Sequence, residues 1–118
     1  MDRLKKAVSD YVEWSLSRVP KSRIRGRKLI HDAIHGSNLF EPHEVAVLDL
    51  PLLQRLRRVN QVDVVPLVFP SGNHNRFEHT LGVTVIADRL ARALQKTDSN
   101  LVREEDILHL RMAAILHL

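Results

Sequence analysis

The segment ILHLRMAAILHL, residues 107–118, is apolar nearly all the way round a helix, and it constrains the fold more than any other part of the chain. A helix with no polar face must lie at the centre of a packed bundle or within a membrane. No apolar run approaches the roughly 18 residues that a membrane span needs, so residues 107–118 are expected to form a central helix among others. The chain stops inside that helix. Because a native domain seldom ends within its own core, the sequence reads as a piece of a longer protein.

The neighbours of such a helix are visible upstream. Aromatic residues are only 4% of the chain, so the core must be built from Leu, Val, Ile and Ala, a mix that favours packed helices. With 118 residues, 44% of them hydrophobic, the chain can bury one modest core. In residues 2–17, Leu4, Ala7, Val8 and Tyr11 follow helical spacing with charges between them, which predicts an amphipathic helix stopping near Ser17 to Pro20. From Lys28 to Phe40 that spacing is lost, and His35-Gly36-Ser37-Asn38 supplies turn chemistry between KLI and LF, so a short β-hairpin is expected. Pro42 can open a helix over HEVAVLDL, which Pro51 interrupts before a second helical run, LLQRLRRV. The segment from Asp63 to Phe69 is β-branched and broken by Pro66, and Pro70-Ser71-Gly72-Asn73 marks a loop. After it, Val83, Ile86, Ala87, Leu90 and Leu94 share one helical face, predicting a helix over 77–96. Asp98-Ser99-Asn100 makes a turn, and Glu104, Glu105 and Asp106 suit the positive end of the last helix. The fold class expected is all-α with a short N-terminal β-hairpin.

The net charge of +4 is uneven: Arg18, Lys21, Arg23, Arg25, Arg27 and Lys28 contribute six positive charges with no acid among residues 18–28. Residues 21–28 therefore read as a basic arm after the first helix (residues 1–20), and the domain proper occupies 29–118. Clustered cations repel one another and Gly26 adds freedom, so a flexible arm or connector is expected. It suits nucleotide phosphates or nucleic acid, or a solvated tether; no aromatic residues are interleaved for base stacking. The N-terminus MDRLKKAVSD is charged throughout and lacks the apolar core of a secretory signal. There is no cysteine, hence no disulfide framework and no thiolate ligand or nucleophile. A cytoplasmic address is expected.

Seven histidines are present. Imidazoles bind divalent metals when two or more converge within about 2.0–2.2 Å of the ion. A histidine near a helix start serves as readily as a cap or core residue, so spacing alone leaves the role of His79 and His117 open.

The blocks KLIHDAIHG, DLPLLQRLRRVNQV, FPSGNHNRFEHTLGV and AAILHL, spread over residues 28–118, are similar in order and spacing to the HD-domain phosphohydrolases. The likeness is to the deoxynucleoside-triphosphate triphosphohydrolases with SAM and HD domains. HNRFEHTLG with QRLRR upstream is far more specific than a bare His-Asp pair. The resemblance implies a mainly helical HD-type fold whose N-terminal part is this chain. It implies that His79 is the first metal ligand and that His117 is the histidine of the His-Asp pair, so that the two approach each other. Leu118 stands where the pair's aspartate belongs, and the last aspartate ligand lies further downstream. The cofactor implied is a divalent ion, Mn, Fe, Mg or Zn.

By the same resemblance, Arg76 is the catalytic arginine that faces substrate phosphate, and its planar fork of donors suits that task. Gln61 matches a glutamine at the deoxyribose 3′-hydroxyl, although Val62 and Asp63 replace the usual Leu-Gly after it. Asp49, Gln54 and Arg57 match a regulatory guanine-nucleotide site; on pattern alone they also suit a solvated helix face.

Three functions follow. The first is a metal-dependent phosphohydrolase that, as the full protein, converts deoxynucleoside triphosphate to deoxynucleoside and triphosphate, with a nucleotide activator and homo-oligomeric assembly; the 118-residue chain alone is expected to be inactive. The second is a non-catalytic nucleotide-binding or regulatory module. The third is a basic nucleic-acid-binding protein, resting on residues 18–28.

Overall fold

The computed structural model describes residues 2–17 and 26–117. Arg18, together with Lys21, Arg23 and Arg25 of the basic arm and Leu118, lies outside the described residues. The first helix, α1 (Asp2–Ser17), spans the predicted amphipathic stretch, and its apolar side, with Leu4, Val8 and Tyr11, stays exposed. Among the described residues no helix is long and apolar enough to cross a membrane.

The hairpin forms where turn chemistry predicts it. Strands β1 (Lys28–Asp32) and β2 (Gly36–Phe40) pair antiparallel, with Leu29 opposite Leu39 and Asp32 opposite Gly36. Lys28, assigned to the arm by sequence, thus opens β1, and Arg27 donates from Nε to Glu41 at 3.0 Å. The turn falls earlier than the expected His35-Gly36-Ser37-Asn38, over Ala33-Ile34-His35. Asp32 causes the shift: its Oδ1 accepts the backbone N–H groups of Ile34 and His35 at 2.8 and 2.7 Å, an Asx turn. Gly36, at φ 74°, then takes the left-handed step back into the strand.

Pro42 opens α2 (Pro42–Leu48) and Pro51 opens α3 (Pro51–Gln54), as the prolines predict. The second run does not stay α-helical, because Arg55–Arg58 tightens into a single 3-10 turn that ends at Val59. A 3-10 turn also occupies Val65–Leu67, around Pro66. Asp63 has φ 51°, in the left-handed region, and Asn60 Nδ2 donates to its carbonyl at 3.3 Å. Asp is one of the few side chains that tolerates this conformation, so it preserves the backbone shape that a glycine would give at this position.

The two long helices, α4 (Arg76–Thr97) and α5 (Glu104–Leu116), pack on each other. Asn75 caps α4, its Oδ1 accepting from Glu78 N–H at 2.9 Å, and Asp106 Oδ2 accepts from the Arg103 N–H at 2.8 Å to start α5. The core brings Phe40, Val45, Leu48, Leu53, Leu56, Phe77, Leu81, Val85 and Ile115 together. It therefore sits between the hairpin, α2–α3 and one side of α4 and α5. The buried side of α4 is Phe77, Leu81, Thr84, Val85 and Ala91. The stripe legible in the sequence is displaced from it, with Ile86, Leu90 and Leu94 exposed. Likewise α5 buries Ile107, Arg111, Ala114 and Ile115 but exposes Leu108, Leu110 and Leu116. Within this chain α5 is covered on one side, so the expected central position is not reached.

Candidate active site

Two backbone segments are tied together at the start of α4. Arg76 N–H donates to Val59 carbonyl at 2.8 Å, Gln61 N–H donates to His74 carbonyl at 3.1 Å, and Asn60 and Asn75 form an antiparallel bridge between them. The first turn of α4 is thereby fixed beside the residues that follow the 3-10 turn. The end of α5 closes the third side. Between these walls lies a cavity of about 460 Å³, lined by Arg55, Gln61, Arg76, His79, Thr80 and His117 among others. Gln61, Arg76, His79 and His117, the substrate- and metal-binding residues expected from sequence, thus line one cavity.

The rings of His79 and His117 stand 5.7 Å apart, centroid to centroid, with their planes 49° from each other. His117 Nδ1 lies 2.9 Å from the Ala114 carbonyl oxygen. A carbonyl can only accept, so Nδ1 is the donor in this contact, and Nε2 is the ring nitrogen left to face the cavity as a possible metal ligand. For nitrogen–metal lengths of about 2.0–2.1 Å, two rings on one ion have centroids no more than roughly 6.5 Å apart. The 5.7 Å separation lies within that limit. The pair is not a full ligand set: no group of three His, Cys, Asp or Glu side chains able to hold a metal occurs among the described residues. Leu118, outside them, carries no side-chain donor.

Gln61 adds a polar atom without a partner, since its Oε1 is buried and accepts no hydrogen bond. Buried carbonyl oxygens are rarely left so, and a hydroxyl or N–H donor entering the cavity would satisfy it. The hydroxyl of Thr80 donates instead to the Arg76 carbonyl at 3.0 Å, which is how a threonine can be buried here.

The residues expected at a regulatory site are only partly united. Arg57 donates from Nε to Gln54 Oε1 at 2.8 Å and lies over the Phe77 ring at 4.0 Å, while Gln54 Nε2 donates to the Leu48 carbonyl at 2.8 Å. Gln54 and Arg57 share a second cavity of about 400 Å³ with Pro51, Arg55 and Arg58. Asp49 is exposed at the end of α2 and lines neither cavity.

Three features went unpredicted. Arg55, exposed at the surface, lines both cavities; its place in QRLRR was visible, but not which arginine of that run borders the histidines. The His35 ring lies over Gly82 of α4, so close that a Cβ there would meet Cε1 at 3.0 Å. A cleft of about 740 Å³ opens beside that contact and includes His79, Val83 and Ile86, which gives the displaced apolar stripe of α4 a place in the structure. Third, Arg111 is buried in α5 against Glu44 and Asp88. Burial alone would lower its pKa, but the hydrogen bonds and charges of Glu44 and Asp88 outweigh that and raise it, so the guanidinium stays charged.

The profile of the HD domain family matches residues 76–117, from the arginine to the second histidine of this cavity. Deoxynucleoside triphosphate triphosphohydrolase SAMHD1 of Mus musculus is 40% identical over 103 residues, which is 86% of this chain and 16% of that protein. The Bos taurus protein of the same name is 43% identical over 91 residues, 76% of this chain and 15% of the relative. The Homo sapiens protein is 37% identical over 103 residues, again 86% and 16%. The chain therefore spans about one sixth of the length of these relatives. On the family match and the relatives, residues 76–117 of this chain are part of an HD domain, and the chain is similar to the deoxynucleoside triphosphate triphosphohydrolases.

Proposed function

We propose that the full protein carrying this chain is a metal-dependent phosphohydrolase that converts deoxynucleoside triphosphates to deoxynucleoside and triphosphate. One observation supports this most: Gln61, the Arg76 and His79 side chains of one helical turn, and His117, from three separate segments of the chain, line a single cavity. In the reaction, water adds to the α-phosphorus, the bond from that phosphorus to the 5′ oxygen breaks, and the 5′ oxygen takes up a proton. A divalent ion of the Mn, Fe, Mg or Zn kind, when bound, polarises phosphate oxygens and makes water a better nucleophile. The chain's own part is to present two imidazoles as ligands and to hold phosphate charge with the guanidinium of Arg76. Gln61 Oε1, buried without a hydrogen-bond partner, supports a role as acceptor for a sugar hydroxyl. The exposed apolar side chains of α4 and α5, such as Leu90 and Leu116, support assembly with further polypeptide, a second copy included.

The test is chromatography of a deoxynucleoside triphosphate incubated with the full-length protein and a divalent ion. Deoxynucleoside and triphosphate should appear together, stop with chelator, and fall by two orders of magnitude or so in Arg76→Ala, the scale seen when one transition-state donor is lost. Monophosphate with pyrophosphate as products would overturn the reading. Nucleotide binding without turnover would favour the second reading, a regulatory module, which draws support from the Gln54–Arg57 surface and the leucine at position 118.

A further inference from the structure

The cavity of about 460 Å³ is lined by two arginines and two histidines and by no aspartate or glutamate. The adjoining cavity of Pro51, Gln54, Arg55, Arg57 and Arg58 shares that lack of acids. A neighbouring cavity beside β2 also has three arginines in its wall, Arg89, Arg92 and Arg111, but Glu41, Asp88 and Glu104 face them there, and ion pairs at 3.1 to 3.6 Å join Arg92 and Arg111 to those acids. Arg57 is likewise occupied by Gln54 and the Phe77 ring. The side chains of Arg55 and Arg76, by contrast, make no hydrogen bond or ion pair with any described residue. A guanidinium is a delocalised cation with a planar fork of donors. Arg76 is also the first residue of a 22-residue helix, whose positive end adds to the same potential.

Two uncompensated guanidinia on one concave wall repel each other and gain most from an anion that spans them. A single phosphate can be held by one planar fork; a chain of phosphates presents oxygens far enough apart for two. We infer that Arg55 is a second phosphate-binding residue of the cavity, acting with Arg76 on a polyphosphate chain. This rests on the phosphohydrolase reading and deepens it, because it names the residue that would favour a polyphosphate over a monophosphate. The 3-10 turn Arg55–Arg58 explains how Arg55 reaches this position: the tight turn sends Arg57 over Phe77 and leaves Arg55 at the border of the two cavities.

The experiment is calorimetric titration of the 118-residue chain with inorganic triphosphate and with inorganic phosphate. The variants are Arg55→Ala, Arg55→Lys, Arg76→Ala and Arg58→Ala, each first shown to keep the parent's unfolding midpoint. Arg58 is the control: it removes the same charge from the same turn but does not line this cavity. Arg55→Ala should weaken triphosphate binding by on the order of ten- to a hundredfold, the loss of a charge-assisted hydrogen-bonded contact. Arg58→Ala should change it less than about threefold, the scale of a screened surface charge. Arg55→Lys, which keeps the charge and loses the fork, should recover part of the loss, and phosphate should bind more weakly than triphosphate and respond less to Arg55. Equal effects of Arg55→Ala and Arg58→Ala, with Arg76→Ala still damaging, would overturn the role of Arg55 and leave the phosphohydrolase reading standing. Binding indifferent to both Arg55 and Arg76, or no binding of triphosphate, would overturn the inference and remove the support that this cavity gives to that reading.

Discussion

Arg111 of α5 and Glu44 of α2, 67 residues apart in sequence, form a buried two-point ion pair, Nε to Oε1 at 2.9 Å and Nη2 to Oε2 at 2.8 Å. Glu44 is wholly inaccessible to solvent. The same guanidinium reaches Asp88 of α4 at 3.1 Å and donates to the Leu39 carbonyl at 3.1 Å, so one side chain joins the hairpin, α2, α4 and α5. Arg111→Ala strands the Glu44 carboxylate without a partner and should destabilise the chain by about 3–5 kcal/mol. Glu44→Leu with Arg111→Met, which removes both charges and fills similar volume, should be near neutral or stabilising. Urea denaturation of the three proteins checks this; a double variant as unstable as the single one would show that the pair itself contributes net stability.

Asp32 carries a pH dependence whose sign follows from its contacts. Burial raises its carboxyl pKa, but the backbone N–H groups of His35 and Ile34 and the facing His35 imidazole outweigh this and hold it below the ordinary carboxylate value. A depressed folded pKa contributes stability that is complete above the unfolded value, about 3.9, and lost as pH falls through the folded one. Asp32→Ala should therefore cost about 1–3 kcal/mol at neutral pH, and the gap to the parent should narrow below about pH 4. A gap that is constant from neutral pH to about pH 3 would show that the ionised carboxylate is not its source.

How far the sequence foretold this structure depends on how local each signal is. Hairpin, proline-started helices and the acidic start of α5 were legible because their causes lie within a few residues. Which side of α4 is buried was not, because Thr80 and Thr84 count as polar yet satisfy their hydroxyls on the helix's own carbonyls, at 3.0 and 2.9 Å, and go inside. The apolar stripe at Ile86 and Leu90 was read correctly as a stripe, but only tertiary packing decides what covers it. Arg111, an arginine in an apolar helix, gave no local sign of burial, since its partner lies on α2. At the candidate site, Gln61, Arg76, His79 and His117 were reached through resemblance to a family, and no spacing rule would have joined residues 61 and 117. Arg55 escaped because the turn from α-helix to 3-10 geometry, which separates it from Arg57, has no signature in QRLRR.

The paired histidines set the last expectation. Two imidazoles with centroids 5.7 Å apart are close enough to share an ion, but with no carboxylate side chain completing a ligand set among the described residues, water would fill the remaining positions. Such a site should bind weakly and favour metals that prefer imidazole, Zn, Ni or Cu, over Mg or Mn. His79→Ala and His117→Ala should each abolish it, whereas His109→Ala, on the exposed side of α5, should not. Metal titration of the 118-residue chain, followed by histidine resonances, measures this directly. The same chain should show little or no triphosphohydrolase activity. Leu118→Asp should not restore it either, because the family's ligand set includes a further aspartate that resemblance places downstream of this sequence. One added carboxylate raises the count from two ligands to three while leaving that position to water. Brisk metal-dependent hydrolysis of a deoxynucleoside triphosphate by the isolated chain would mean that the catalytic groups lie elsewhere than at Arg76, His79 and His117.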